Sequence, residues 1–382
     1  MMSKPNHFLP ISLFLVVLAN VSFSQSSVII GQGGERLPIT SAPFLMITPD
    51  ARSAGLGEAG VALSTDANAA YWNPARLTLL PEKSNVSFSY TPWLRKVVSN
   101  MDLYHFAAAQ RMSEKGVWGL SLTYFDLGGI QLAAPSGALA FLDNPHDLSI
   151  SLSYAHQLNK QWNLGGSAKY IGNNYSGLPS TRGAPQSASG FAVDLGALYQ
   201  TDFKILQKES QLAVGANIAN LGPKMSYFDR EEFLPANINI GASLRSQIYN
   251  HHSLSWSFNL RKLMVPTPDS VYIPGADKNW FSGTFGSFAD APGGFAEELR
   301  EIMIGTGLEY GFKETVWLRG GYYHEAEDKG DRRYFTTGLG VRYQILSLDL
   351  AYLLPFGTQP GRTHPLQNTL RLGLQIRFGE IV

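Results

Sequence analysis

From Val86 to the last residues the chain keeps returning to strict period-two alternation between large apolar and small or polar side chains. Such alternation marks strands whose two faces meet different surroundings. Trp118, Leu120, Leu122 and Tyr124 alternate with Gly119, Ser121 and Thr123; Leu148, Ile150, Leu152 and Tyr154 alternate with Ser149, Ser151 and Ser153. Near the end, Leu370, Leu372, Leu374, Ile376 and Phe378 alternate with Arg371, Gly373, Gln375 and Arg377. Runs of this kind start near Val86, Asp102, Val117, Leu148, Trp162, Ser189, Leu212, Asn237, Ser253, Ile302, Val316, Tyr334, Leu346 and Thr369, fourteen in all. An even number of antiparallel strands can close on itself and leave no free edge.

Charge placement separates a membrane barrel from a soluble sandwich. Lys169, Asp194, Arg261, Glu309, Arg319, Arg342, Asp349, Arg371 and Arg377 all fall on the small, polar face of their strands. An Arg or Lys turned to lipid at the midplane would cost about 2 to 4 kcal/mol, so this sorting is expected if the apolar face meets hydrocarbon. A sandwich would show similar alternation on shorter strands, whereas many of these runs reach about ten residues, the span of a tilted membrane strand. Connections alternate in length, as periplasmic turns and outer loops do. Asn159-Lys160, Lys313-Glu314 and Met112 to Gly116 are short, with Gln200 to Ser210 the long exception on that side. Asp126 to Asp147, Gly172 to Ala188, Asn220 to Ala236 and Lys262 to Glu301 are long. The expected fold is all-β: a transmembrane antiparallel β-barrel of about fourteen strands with an N-terminal plug.

With 30 basic and 30 acidic residues the net charge is zero, so electrostatics names no nucleic-acid partner. No cysteine is present, which leaves no disulfide framework and no thiolate metal site. At the N-terminus, Lys4 and His7 precede an apolar run from Phe8 to Leu18, and Ser22 and Ser24 stand before Gln25. Residues 1–24 therefore read as a signal peptide, 25–85 as an N-terminal segment and lumen plug, and 86–382 as the barrel with long outer loops. Fourteen strands enclose a wide lumen, and the Ala- and Gly-rich stretch from Pro43 to Leu80, which lacks alternation, is the segment expected to fill it. The inward Glu309, Arg319, Arg342, Asp349 and Arg371, interspersed in sign on five consecutive strands, are expected to form a salt-bridge network against that plug.

Gly55-Leu56-Gly57-Glu58-Ala59-Gly60 has the letters of a dinucleotide-binding fingerprint, but no strand precedes it and no βαβ unit surrounds it. Tight packing in the plug is the better account of these glycines. Trp72-Asn73-Pro74-Ala75 is on its own a turn signal; the whole run Asp66 to Ala75 resembles the hatch of the FadL-like outer-membrane transporter superfamily. Pro43-Phe44-Leu45, Pro49-Asp50-Ala51-Arg52, Gly60-Val61, Ser89-Tyr90-Thr91-Pro92-Trp93-Leu94-Arg95, Tyr124-Phe125 and Gly128-Gly129-Ile130 tighten the match. Together they resemble the PorV (LptO) family within that superfamily. The resemblance implies an outer-membrane component of type IX protein secretion. Members of the family bind the C-terminal signal domain of cargo proteins at an SprA-like translocon barrel and deliver it to a PorU-containing attachment complex. The alternative is a FadL-like channel for hydrophobic small molecules.

Neither reading calls for a cofactor, a metal or a catalytic group, and no Ser/His/Asp arrangement stands out. Pro92, Trp93, Leu94 and Arg95 lie in the first outer connection, as either a girdle Trp with a headgroup Arg or a contact for cargo or translocon. Trp280, Phe281, Phe285 and Phe288 lie in the longest outer loop, as either a self-packed cap or a partner site.

Overall fold

The computed structural model describes residues 38, 40–63, 66–94, 100–128, 130–133, 139–142, 144–175, 187–226, 231–268, 278–356, 364 and 366–380. The expected signal peptide at 1–24 and Arg95 lie outside these. Fourteen strands carry the architecture: β1 (Glu82–Pro92), β2 (Asp102–Arg111), β3 (Gly116–Asp126), β4 (His146–Gln157), β5 (Trp162–Asn174), β6 (Ala188–Ile205), β7 (Lys208–Leu221), β8 (Asn237–Tyr249), β9 (His252–Leu263), β10 (Ile302–Phe312), β11 (Val316–His324), β12 (Arg333–Tyr343), β13 (Leu346–Pro355) and β14 (Leu370–Glu380). Each pairs antiparallel with its neighbours in sequence, and β1 closes the barrel on β14 in the register Phe88↔Leu374. Two short ribbons, Ile130–Ala133 with Leu139–Leu142 and Met225–Ser226 with Glu231–Glu232, rise from the long connections. No described helix is long and apolar enough to cross a membrane.

Burial is inverted relative to a water-soluble sheet. On β4 the hydroxyls of Ser149, Ser151 and Ser153 are buried while Ile150, Leu152 and Tyr154 face out. Leu152 is 52% exposed and Leu348 59% exposed, which in water would form an aggregation-prone surface and in lipid is solvated by acyl chains. Aromatic pairs ring both ends. Trp118 packs on Tyr154 (4.9 Å) and Trp162 on Tyr199 (5.1 Å) at the short-turn end, and Tyr90 packs on Tyr104 (5.3 Å) and Tyr322 on Phe335 (5.4 Å) at the long-loop end.

All fourteen expected strands are present, and the differences lie at their ends. β1 begins at Glu82 rather than near Val86, and β7 at Lys208 rather than near Leu212. The expected long inner connection Gln200 to Ser210 does not exist. β6 continues to Ile205, and the turn is Leu206-Gln207 alone, both at positive φ (47° and 65°). That backbone matches the twist of a two-residue hairpin even without the usual Asn or Gly. The polar stretch Thr201 to Glu209 extends the ribbon beyond the apolar belt, where alternation has no lipid face to enforce it.

Candidate functional site

The lumen is filled by residues 41–63 and 66–80, with four short pieces: 3-10 turns at Pro43–Met46 and Pro74–Leu79, and helical turns at Ala51–Ala54 and Ala69–Trp72. None is long enough to be stable alone, so their order comes from caps and from the wall. Asp50 caps the first helical turn by accepting from the Ser53 amide (2.7 Å), and its other oxygen accepts from the Trp72 indole N–H (2.7 Å). Asn73 opens the Pro74–Leu79 turn by accepting from the Ala75 amide (3.1 Å), with Pro74 at the first position, where its fixed φ suits the helix and no N–H is needed. The Asn73 amide also donates to the Ala197 carbonyl of β6 (3.0 Å), pinning the plug to the barrel. The motif Trp72-Asn73-Pro74-Ala75 is thus a latch between plug and wall.

Glycines on the wall make room for that latch. A Cβ at Gly196 or Gly215 would collide with Asn73 or Val61, one at Gly165 with Pro74 and Ala75, and one at Gly307 or Gly321 with Leu56 or Gly57. In the plug itself, Gly57 adopts φ +65°, and Gly60 lies under the Trp72 ring. These two glycines are needed for backbone conformation and close approach.

Charges complete the closure. Glu309 accepts from Arg52 of the plug (2.8 Å) and from Arg319 (2.7 Å), and Arg319 continues to Asp349 (2.5 Å). Arg371 donates to the Thr48 carbonyl (2.8 Å), pairs with Glu58 (3.4 Å) and stacks over Trp93 (5.7 Å). Asp66 accepts from Gln375 (3.1 Å), and the Gly57 amide donates to Thr336 (3.0 Å). Four of the five charges expected in the network therefore bind one another or the plug. Arg342 does not: it reaches Glu314 in an inner turn (3.4 Å) and lies over Trp317 (5.4 Å). It stands near the inner end of β12, opposite Ser347 of β13, where Glu314 of the neighbouring inner turn is its ion partner.

Above the plug, at the long-loop end, lies a cavity of about 330 Å³. Phe44, Met46 and Ile47 form its floor, Trp93, Leu94, Met101, Phe125, Leu127 and Met303 its walls, and Glu301, Glu325, Lys329, Asp331, Arg332 and His364 its rim. Trp93 is buried and points inward, so it is not a girdle residue; Leu94 beside it is half-buried, and Pro92 ends β1. Sequence reasoning found Trp93 and Leu94 but missed the cavity, because its lining comes from separate segments with no shared spacing.

The longest outer loop folds into helical turns at Trp280–Gly286 and Phe295–Arg300. Asn279 caps the first by accepting from the Phe281 amide (2.9 Å), and Gly283 packs closely on Phe233. A buried ion cluster holds this cap to the barrel: Lys262 pairs with Glu298 (2.9 Å) and Glu301, while Lys329 pairs with Glu297 (2.7 Å) and Glu301 (2.9 Å). Burial alone would raise the Glu301 carboxyl, but hydrogen bonds from Lys262, Thr267 and Lys329 outweigh it and hold it below the usual glutamate range. Trp280 is half-buried against Phe281, whereas Phe281, Phe285 and Phe288 are exposed on the outer surface. The cap is therefore anchored at its base by an ion cluster whose Glu301 and Lys329 also stand on the rim of the Trp93 cavity, and it is apolar on its outside. Among the described residues no group of three or more His, Asp or Glu is placed to hold a metal ion.

A family model described as "Type IX secretion system protein PorV" matches residues 32–270, more than half of the 382-residue chain. The chain belongs to the PorV family. With its closed fourteen-stranded barrel, this PorV-family protein is an outer-membrane component of the type IX secretion system. No curated protein matches it. Solved structures similar to it include the toluene transporter TbuX of Ralstonia pickettii, at 13% identity over 85% of this chain and 97% of that one, with a TM-score of 0.48. A Pseudomonas aeruginosa FadL homologue aligns at 12% identity over 87% and 99%, with a TM-score of 0.44. The Pseudomonas putida toluene transporter TodX aligns at 11% identity over 92% and 98%, with a TM-score of 0.45.

Proposed function

We propose that this protein is the outer-membrane carrier of type IX secretion. It binds the C-terminal signal domain of secreted cargo at the SprA translocon barrel and brings it to the PorU-containing attachment complex at the cell surface. The match to the PorV family carries this reading. The plug supports it: a lumen crossed by the Arg52–Glu309–Arg319–Asp349 chain is built to stay closed, which moves the work to the outer face. On that face, Leu94 at the cavity and Phe281, Phe285 and Phe288 on the cap are the accessible apolar groups suited to partner contact, with Trp93 and Trp280 supporting them from behind. Deleting the gene is expected to trap proteins bearing the C-terminal signal in the periplasm, measured by immunoblotting of periplasmic and surface fractions. Normal surface delivery in the deletion strain would refute the carrier role.

The cavity also favours a second reading, a channel for hydrophobic small molecules. That reading expects uptake of an apolar compound such as toluene to fall on deletion while secretion continues.

A further inference from the structure

Three properties of the outer cavity restrict what it can hold. Among the described residues, it is lined on the plug side by Phe44, Met46 and Ile47 of the wall-bound plug. Its charged rim is already neutralised from within. Lys329 is shared by Glu297 and Glu301, Arg332 donates through two nitrogens to Glu325 (2.6 and 2.9 Å), and Asp331 pairs with Arg333 (2.6 Å). Burial lowers His364 to about 4, so it adds no positive charge near neutral pH. An anionic amphiphile entering here would have to break a buried ion pair to satisfy its headgroup. The complementary ligand is uncharged and apolar.

The third property is the lining itself. Met46, Met101 and Met303, three of the eight methionines in the chain, meet in this one cavity beside Phe44, Trp93 and Phe125. Unbranched, polarisable thioethers adapt to differently shaped apolar groups, which suits a surface that must accept many sequences rather than one molecule. A volume of about 330 Å³ is near the lower end of ligand pockets, which start at about 300 Å³. From these features we propose that the outer cavity is a receptor for the apolar side chains of an uncharged, extended segment of polypeptide, tolerant of their identity. The proposal rests on the carrier reading and deepens it by naming where and how a polypeptide would be gripped.

The test uses the full-length protein in detergent and a capped, uncharged ten-residue peptide of alternating Val and Thr carrying one benzoylphenylalanine. Irradiation is expected to give adducts at Met46, Met101 or Met303, read by mass spectrometry, and serine at every Val position should abolish them. Met303→Trp, which fills the cavity, should weaken peptide binding at least tenfold while the folded band on unheated gels is retained. Should that variant fail to fold, the adduct map decides alone. Adducts confined to the Phe281–Phe288 cap, or displacement of the peptide by dodecanoate at lower concentration than by unlabelled peptide, would overturn the proposal in favour of another occupant. In cells, Met303→Trp should reduce cargo delivery. Normal delivery by this variant, with delivery lost in the gene deletion, would reject the cavity as receptor and leave the carrier role standing; peptide binding in a strain whose deletion secretes normally would do the reverse.

Discussion

Replacing Arg319 by leucine is expected to destabilise the folded barrel by about 3 to 5 kcal/mol, the range for breaking a buried ion pair by removing one partner. Arg319 stands between Glu309 and Asp349 with only 2% of its side chain exposed, so its loss removes the cation that two buried carboxylates share. Arg52 still reaches Glu309 and its charge also acts on Asp349, so the loss falls chiefly on the ion pair that Arg319 itself makes with Asp349. The loss should appear as a lower temperature for conversion of the compact to the unfolded band on gels. It should also appear as sensitivity of cells to large antibiotics that a closed outer membrane excludes. Adding Asp349→Asn to the leucine variant, with Glu309 left to Arg52, should restore much of the stability, because the penalty comes from unpaired charge rather than lost shape. Arg342→Leu is the control. Its partner Glu314 is largely exposed, and pairs of that kind contribute about 0 to 1 kcal/mol.

Lys329→Met is expected to release the outer cap without unfolding the barrel. Lys329 is buried with Glu297 and Glu301, so the substitution leaves three buried carboxylates, Glu297, Glu298 and Glu301, around one cation of the cluster, Lys262, which is already shared by Glu298 and Glu301. A penalty of about 3 kcal/mol would raise the population of the released cap roughly a hundredfold. Protease treatment of intact cells should then cleave within residues 278–301 at a correspondingly higher rate, while strands stay protected. The same clasp predicts a pH response. Glu301 is held below the usual glutamate range in the folded cap, so its contribution is complete above the unfolded carboxyl value and is lost as pH falls through the depressed one. Protection of the cap should accordingly be full at neutral pH, begin to decline as pH falls through the range where free glutamate titrates, and be lost below it.

The barrel was legible because lipid enforces its pattern. Where a strand crosses the apolar belt, as at Trp118 to Tyr124, one face must be large and apolar, and the period shows. Where a ribbon projects beyond the belt, as at Thr201 to Glu209, no such constraint acts, and a strand pair reads as a loop. Glu82 to Asn85 hid the start of β1 in the same way. The plug was legible by the absence of alternation together with its Ala and Gly content, and Asn73 by its motif. Its partners on the wall were not, because Gly165, Gly196 and Gly215 matter only through what faces them across the lumen. Arg342 shares the polar face with Arg319 and Asp349, yet its height along the barrel, which a face assignment does not record, gives it a different partner. The cavity was invisible for a related reason: Phe44, Trp93, Met101, Phe125 and Met303 meet only once the barrel closes.

A barrel that is blocked must work on its outer surface, and the most direct measurement of the blockage is ion current through the purified, intact protein inserted in a planar bilayer. The wiring of residues 41–63 and 66–80 into the wall predicts a silent membrane, with conductance steps appearing in Arg319→Leu as the plug loosens. Steady, open-pore steps from the unaltered protein would contradict it.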